Sequence, residues 1–448
     1  METVAVDQQS RQVPNIFFEY AQHESWTRQQ LMDYQAQALR ACRDYAYANS
    51  PFYQRFHQGL MDRPLQDLPV LTKSMVMEHF DDLVTDRAIH LSDVQEHMAG
   101  ADSTKLFLDR YQVTGTSGST GKIGIFLSDR TEAAIEGSTF VRVQSWGGLT
   151  LKDRVALMTA LRLAPPTVLK EGQQVPLVLP ATLPLDILVQ RLNAWQPEVL
   201  VGHASICSAL ANEQRQGRLH IAPRTIFCAG DTLTSDMRQR IEEIWQTKIF
   251  NAYGTTEGNA LAGECAFHRG LHLFEDYSIV EVVDENNQPL PPGATGGKVL
   301  LTVLFRRTQP LIRYELSDLV RTSANERCPC GRPFALIEAI EGRMMEVLYL
   351  PTPAGNVQRI SPYIFIVVFS KLPIGGWQVV HEPDGLHILL TGAAGELRDE
   401  QVREALQQLL AEHDVLVPSI EIHRVSALRQ TANGKSPMVI SCVPRQAS

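Results

Sequence analysis

The sequence predicts an α/β protein: a large N-terminal domain with parallel-type sheets packed by helices and a β-rich subdomain, then a small α+β domain at the C-terminus. Three observations predict it. Between about 123 and 260, short apolar runs alternate with helical stretches: Ile123–Leu127, Val155–Met158, Val199–Val201 and Thr225–Cys228, the last followed by an amphipathic stretch around Met237–Trp245. From Ser278 to Val320 the pattern turns β-rich, with Val280, Val282 and Val283, then Val299, Leu301 and Val303, on either side of Pro291-Pro292-Gly293. Near the C-terminus Val402, Ala405, Leu406, Leu409 and Leu410 make one apolar helical stripe, flanked by strand-like Trp377–Val380, Leu386–Leu390 and Ser419–Val425.

Taken in chain order, residues up to about 100 read as helical and polar, and Leu106–Val113 as a short strand. The small unit begins near Gly342–Arg343, so the expected domains are 1–342 and 343–448. At 448 residues, with 44% hydrophobic and 20% charged, the chain has ample material for a buried core. Lys+Arg 41 against Asp+Glu 50, net −9, argues against a nucleic-acid-binding surface. No apolar run reaches the length of a bilayer span, the nearest being Tyr363–Phe369, so no membrane partner is expected. The N-terminus, METVAVDQQSRQ, lacks the basic-then-apolar pattern of a secretory signal. Seven scattered cysteines do not form a disulfide framework, and a reducing cytoplasm is expected.

The first chemical signal is residues 114–122, Thr-Gly-Thr-Ser-Gly-Ser-Thr-Gly-Lys. Glycines let backbone N–H groups approach an anion, Thr116, Ser117, Ser119 and Thr120 add hydroxyl donors, and Lys122 adds charge; together they suit a polyphosphate. This is not a Walker loop, because five residues rather than four separate Gly115 from Gly121 and Ile123 follows the lysine. The turn also joins strand to strand. The second signal is residues 251–258, Asn-Ala-Tyr-Gly-Thr-Thr-Glu-Gly. It offers a ring for a base, hydroxyls for phosphate oxygens and a carboxylate for Mg²⁺.

These two loops, in this order, resemble the adenylate-forming superfamily, and more closely its phenylacetate–CoA ligase-like branch. Shorter segments over most of the chain carry the same likeness: Ser50-Pro51-Phe52-Tyr53, Leu68-Pro69-Val70-Leu71-Thr72-Lys73, Gly202-His203-Ala204-Ser205, Ala229-Gly230-Asp231, Tyr314-Glu315-Leu316-Ser317-Asp318-Leu319, Gly342-Arg343 and Gly434-Lys435. The resemblance implies a large adenylate-forming domain that binds acid and ATP, and a small mobile domain carrying a catalytic lysine. It implies ATP-dependent activation of a carboxylic acid through an acyl-AMP intermediate, with release of pyrophosphate.

Residue by residue, the resemblance implies that Thr116, Ser117, Gly118, Ser119, Thr120, Gly121 and Lys122 orient the β,γ-phosphates. Ala229, Gly230 and Asp231 line the adenine pocket, with Tyr253 on its face and Gly254 following. Thr256 contacts the α-phosphate, Glu257 holds Mg²⁺, and Asp318 takes the ribose hydroxyls. Arg343 steadies ribose or phosphate at the hinge, and Lys435 bridges the carboxylate and α-phosphate oxygens. A carboxylate attacking a phosphate brings anions together, which is why a metal ion and a lysine are needed there. The hinge departs from the family pattern: where an acidic pair follows Gly-Arg-x, this chain has Met345 and Glu346, a departure that bears on transfer rather than adenylation. Asp231 stands where a glutamate is common.

Cys328-Pro329-Cys330-Gly331 is the one close cysteine pair, and Cys265 and His272 lie upstream. Three thiolates and an imidazole make a closed set suited to structural Zn²⁺, an arrangement relatives in this branch share, with His268 as rival fourth ligand. His203, Ala204, Ser205 and Ile206 are candidate lining for the acyl pocket. An apolar or aromatic acid is the family default. Coenzyme A is the acceptor the resemblance favours, with an amine or amino acid, giving an amide, or a carrier-protein thiol as alternatives. No Asp-Ser-Leu-type attachment serine is present. A non-catalytic relative that binds nucleotide or acyl group is the alternative outside catalysis.

Overall fold

The computed structural model describes residues 12–443, apart from 101–104, 117–122, 160–173, 325–326, 344–345, 361, 370–371, 373, 393–396, 417–418 and 432–433. Ser117, Gly118, Ser119, Thr120, Gly121, Lys122 and the hinge position Met345 therefore lie outside the described residues. The chain forms two compact units. The first comprises residues up to Gly148, Ala252–Leu316 and Val320–Ala339; the second comprises Leu149–Asn251, Ser317–Leu319 and the chain from Ile340 onward.

The first unit opens with helices whose ends are written in the sequence. Thr27 and Gln30 close a capping box ahead of helix Arg28–Asn49, and Ser50 caps Pro51–Phe56 with proline in the first turn. Thr72 caps Lys73–Glu78. Two of the family-like segments thus have a packing role. Tyr53 is fully buried and donates to the Pro310 carbonyl at 2.9 Å, while Leu71 exchanges backbone bonds with Arg313 and Glu315. The strands Tyr111–Gly115 and Ile125–Asp129 form an antiparallel hairpin, and Asp129 with Glu132 closes a second capping box ahead of helix Arg130–Trp146. That helix is tied down by buried ion pairs, Arg142 with Asp276 at 2.7 Å and Glu136 with Arg306 at 2.7 Å. The strands Ser278–Val283, Lys298–Val303 and Tyr314–Leu316 make an antiparallel sheet, the β-rich region read from the sequence.

In the second unit the strands Leu177–Pro180, Val155–Thr159, Val199–Gly202 and Thr225–Ala229 lie side by side in that order, all parallel. Helices Leu185–Trp195, Ala204–Arg215 and Ser235–Trp245 cover them around a core that includes Leu188, Leu192, Leu200, Leu210, Ile226 and Ile241. Strands Val199–Gly202 and Thr225–Ala229 are buried on both faces, which explains their continuous apolar runs. Residues 348–439 build a separate core on a four-stranded sheet. Its centre is the hairpin Gly376–Glu382 and Gly385–Thr391, with Val439–Ser441 and Ile420–Arg424 added parallel at the two edges. Helix Asp399–Glu412 seats Val402, Leu406 and Leu410 against it, the middle of the expected stripe.

The α/β class and the order of elements are as expected. One local reading changes, and one run left unassigned becomes a helix. The run from Leu106 is a turn for its first half, because Leu108 and Asp109 adopt left-handed backbone and fold Phe107 back onto Tyr111; the strand begins only there. The apolar run around Tyr363 is the helix Pro362–Phe369, with Phe365 and Phe369 fully buried. An unbroken apolar run carries no period, so sequence alone does not separate helix from strand there. Among the described residues, no helix is long and apolar enough to cross a membrane.

Candidate active site

In open parallel sheets, ligands are held at the carboxyl ends of the strands. In the second unit, two such ends carry the expected residues. Strand Val199–Gly202 leads into His203, which precedes helix Ala204–Arg215, and strand Thr225–Ala229 leads into Gly230 and Asp231. The Asp231 carboxylate accepts from the Ala204 N–H at 2.6 Å, the Ser205 N–H at 3.2 Å and the Ser205 hydroxyl at 2.5 Å. It therefore serves as the anion at that helix's positive end. The Ser205 hydroxyl, read as an acyl-pocket group, is spent on it, and Ala204 is fully buried. Gly230 has φ +89, and a Cβ there would stand 3.0 Å from His203 and 3.6 Å from Lys435 Cε, so only glycine fits.

The C-terminal lysine loop docks at this place. His203 Nδ1 donates to the Gly434 carbonyl at 3.3 Å, which leaves Nε2 as the acceptor of a neutral ring. Burial holds the imidazole below its ordinary range; Asp231 opposes this and Lys435 adds to it. Within the same unit, Arg343 Nε donates to Asp318 Oδ1 at 3.2 Å, joining the two residues read as ribose contacts. Glu346, the acid at the hinge, lies in the field of Arg343, Asp318 and Asp231, which links the Asp318–Arg343 pair to the Gly230–Asp231 turn. The Oε2 of Glu346 is shut off from solvent and has no hydrogen-bond partner among the described residues.

Burial, helped by Asp318 and Asp231 and opposed by Arg343, raises the Glu346 carboxyl from 4.5 to about 7. The folded chain then holds this proton between pH 4.5 and 7 while the unfolded chain has released it. Stability therefore falls as pH rises through that window, and the cost is full above it. Glu346→Gln is expected to stabilise the protein by about 1–3 kcal/mol at pH 8 and by almost nothing near pH 4.5. Urea titrations at the two pH values measure this, and equal midpoint shifts at both would contradict it.

In the first unit, Tyr253 and Gly254 lie near the end of strand Ile249–Thr255, and Thr256-Glu257-Gly258 form the turn to strand Asn259–Glu264. The stretch read as a polar loop is therefore a tight hairpin, bulged at Tyr253/Gly254. A Cβ on Gly254 would meet the Asn259 carbonyl at 2.7 Å, which requires glycine. Tyr277 donates to the Gly258 carbonyl at 2.9 Å and fixes the turn. Tyr253 and Glu257 are buried; Glu257 Oε1 accepts from the Tyr314 hydroxyl at 3.3 Å, and Phe126 stands edge-on to that ring at 5.9 Å. Among the described residues, the hydrogen bond to this carboxylate is made through Oε1.

The glycine-rich turn is closed at its base. Thr116 N–H donates to the Gly124 carbonyl at 2.9 Å, and Thr116 Oγ1 accepts from the Gly124 N–H at 2.8 Å. Lys73 Nζ donates to Thr116 Oγ1 at 3.4 Å, placing a cation at the base of this turn. Sequence reading quoted Lys73 and Tyr314 within motifs without giving them roles. For Lys73 a signal existed: it begins the helix Lys73–Glu78, where the helix dipole disfavours a cation.

Also in the first unit, Cys265, His272, Cys328 and Cys330 converge, with their four ligand atoms within 4.8 Å of one another. Cys265 and Cys328 sulfurs are 3.6 Å apart, and Cys330 Sγ is 3.4 Å from His272 Nε2. Burial brings His272 down to about 4, which keeps the imidazole neutral and able to ligate. His268 turns instead to Glu264, with Nδ1 3.4 Å from its carboxylate.

Comparison with known proteins gives a consistent set of relatives. The chain is 28% identical over 255 residues to a phenylacetate–coenzyme A ligase of Thermus thermophilus, covering 54% of each chain. It is 26% identical over 270 residues to a fumarate–(S)-2,3-diaminopropanoate ligase of Enterobacter agglomerans, covering 56% of this chain and 64% of the relative. The matched stretches thus span about half to two thirds of these curated relatives. Among solved structures, 2-hydroxyisobutyryl-CoA ligase in its postadenylation state shares the fold, with a TM-score of 0.69 at 21% identity over 94% of this chain and 91% of that one. A scan against protein-family models finds no match.

Proposed function

We propose that the chain is an adenylate-forming enzyme of the phenylacetate–CoA ligase-like branch, and that it activates a carboxylic acid with ATP and passes the acyl group to coenzyme A. The observation that carries the proposal is the convergence, within one compact unit, of Lys435, His203, Gly230-Asp231 and Asp318–Arg343. These segments are distant in sequence, and a chain without a shared ligand has no reason to gather a lysine, a strained glycine and a carboxylate–guanidinium pair.

In the proposed reaction, a carboxylate oxygen of the acid attacks the α-phosphorus of ATP. The bond to the bridging oxygen breaks and pyrophosphate leaves. Lys435 offsets the negative charge that gathers on the carboxylate and α-phosphate oxygens. Asp318, steadied by Arg343, takes the ribose hydroxyls, and the Ala229-Gly230-Asp231 turn and Tyr253 receive the adenine. Thr256 donates to the α-phosphate. The turn begun by Thr116 and continued by Ser117–Lys122 holds the β,γ-phosphates, with Lys73 beside it. Glu257 fits Mg²⁺, being a buried carboxylate with one oxygen uncommitted to Tyr314, and that ion would neutralise phosphate charge. Residues 343–448 act as the small mobile domain and 1–342 as the large one.

Zn²⁺ is proposed for the cysteine cluster. Tetrahedral zinc with bonds of about 2.3 Å to sulfur and about 2.0 Å to nitrogen separates two sulfurs by about 3.8 Å and sulfur from nitrogen by about 3.5 Å. The separations here are 3.6 Å and 3.4 Å. Four such groups gathered without a disulfide suit a reducing compartment, the cytoplasm.

The test is to incubate purified protein with Mg-ATP and a panel of aryl and alkyl acids, with hydroxylamine as trap, and to measure AMP, pyrophosphate and hydroxamate. Acid-dependent AMP is the expected result; ADP and phosphate would overturn the proposal. Replacing hydroxylamine with coenzyme A or an amino acid then separates thioester from amide as product.

A further inference from the structure

A second constellation of metal-ligating side chains lies away from the site described above, on the four-stranded sheet of the second unit. His387 sits in strand Gly385–Thr391, and Glu421 and His423 in the neighbouring strand Ile420–Arg424. The two strands are parallel, and the register sets Glu421 beside His387 and His423 beside Leu389. Successive residues alternate faces, so all three side chains leave the face opposite to buried Leu386, Ile388 and Leu390.

Their ligand atoms lie within 4.8 Å of one another. His387 Nδ1 is 3.0 Å from His423 Nε2, and each of these nitrogens is 3.6 Å from Glu421 Oε2. Two ligands at 3.0 Å are the separation expected of groups about 2.1 Å from one shared ion at roughly 90°. A separation of 3.6 Å corresponds, at the same bond length of about 2.1 Å, to roughly 120°. One ion position satisfies all three atoms.

The orientation of His387 adds an independent observation. Its other nitrogen, Nε2, donates to Asp384 Oδ1 at 3.0 Å, from the turn that begins its own strand. That bond fixes the proton on Nε2 and leaves Nδ1 as a lone pair aimed at His423 and Glu421, the carboxylate–histidine support usual behind a metal-bound imidazole. His387 and His423 are half-buried and Glu421 is exposed, so the ion would be reached from solvent and would keep water ligands.

We propose that His387, Glu421 and His423 bind a divalent first-row transition ion, of the Zn²⁺, Ni²⁺ or Cu²⁺ class, which clips the edge strand Ile420–Arg424 to its neighbour. Two imidazoles and one carboxylate select these ions over Mg²⁺ or Ca²⁺, which take oxygen ligands.

The test is calorimetric titration of the full chain, freed of loosely held metal, with ZnCl₂ and separately NiCl₂, alongside His387→Ala/His423→Ala and Asp384→Asn. The wild type is expected to take up one more ion per chain than the double variant, with Asp384→Asn weakening that uptake about tenfold. The cysteine cluster is untouched by these changes, so its own uptake cancels in the comparison. Co²⁺ supplies a second readout: the ion lost in the double variant is expected to lack sulfur-to-metal charge-transfer absorption. Equal uptake by wild type and double variant would overturn the proposal and leave a hydrogen-bonded histidine pair only.

Discussion

Lys435→Ala is expected to lower acid-dependent pyrophosphate release by about 10²- to 10³-fold, the range found when one preorganised donor to a developing oxyanion is removed. That corresponds to about 3–4 kcal/mol of transition-state stabilisation. ATP affinity is expected to change far less, because the lysine's partners gain their charge density as the new bond forms. The fold should survive. The loop is held by its backbone, with Thr431 N–H donating to the Lys435 carbonyl at 2.8 Å, Gly434 N–H to the Thr431 carbonyl at 2.9 Å, and the Gly434 carbonyl accepting from His203. None of these contacts uses the Lys435 side chain. Pre-steady-state quench-flow with Mg-ATP and acid measures the step directly, with nucleotide binding and thermal unfolding as controls. Wild-type pyrophosphate release by the variant would remove Lys435 from the chemistry.

Much of this arrangement was legible in the sequence, and the reasons differ from residue to residue. Strand and helix positions in 199–245 could be read because parallel strands buried on both faces must be continuously apolar and their covering helices amphipathic. The hairpin carrying Glu257 was legible as a motif but not as a shape, since its tightness depends on the Gly254 approach to the Asn259 carbonyl. The commitment of Asp231 to the helix behind His203 was not legible, because it joins residues 26 and 27 positions apart through a turn at the end of another strand. Glu346 was noted only as the survivor of an expected acidic pair. Its burial beside Asp318 and Arg343 is a tertiary property with no local signature. The His387–His423 pair left no trace in sequence either, because a parallel register between strands over 30 positions apart cannot be read from one chain.

Cys328→Ser is the other substitution with a large expected effect. Wild-type protein is expected to contain one Zn²⁺ per chain at the cysteine cluster, and the variant to lose it, since a serine hydroxyl is a poor replacement for a thiolate. Where a site forms only in the folded chain, metal affinity is folding free energy, so the loss should destabilise the first unit by an amount on the order of several kcal/mol. The four ligands come from the end of strand Asn259–Glu264, the short strand Leu271–Leu273 and the turn at Cys328–Gly331, segments 63 residues apart at the Cys265–Cys328 contact. The ion would therefore close a long loop, where a cross-link counts most against chain entropy. Asn259–Glu264 is also the outgoing limb of the hairpin that presents Thr256 and Glu257, so a smaller fall in kcat should accompany the loss of stability. Metal analysis of the purified chain and thermal unfolding with and without a chelator measure both effects. Cys442→Ser, which removes an exposed thiol outside the cluster, should change neither. Wild-type protein that is free of metal and unfolds at the same temperature as Cys328→Ser would exclude a structural ion.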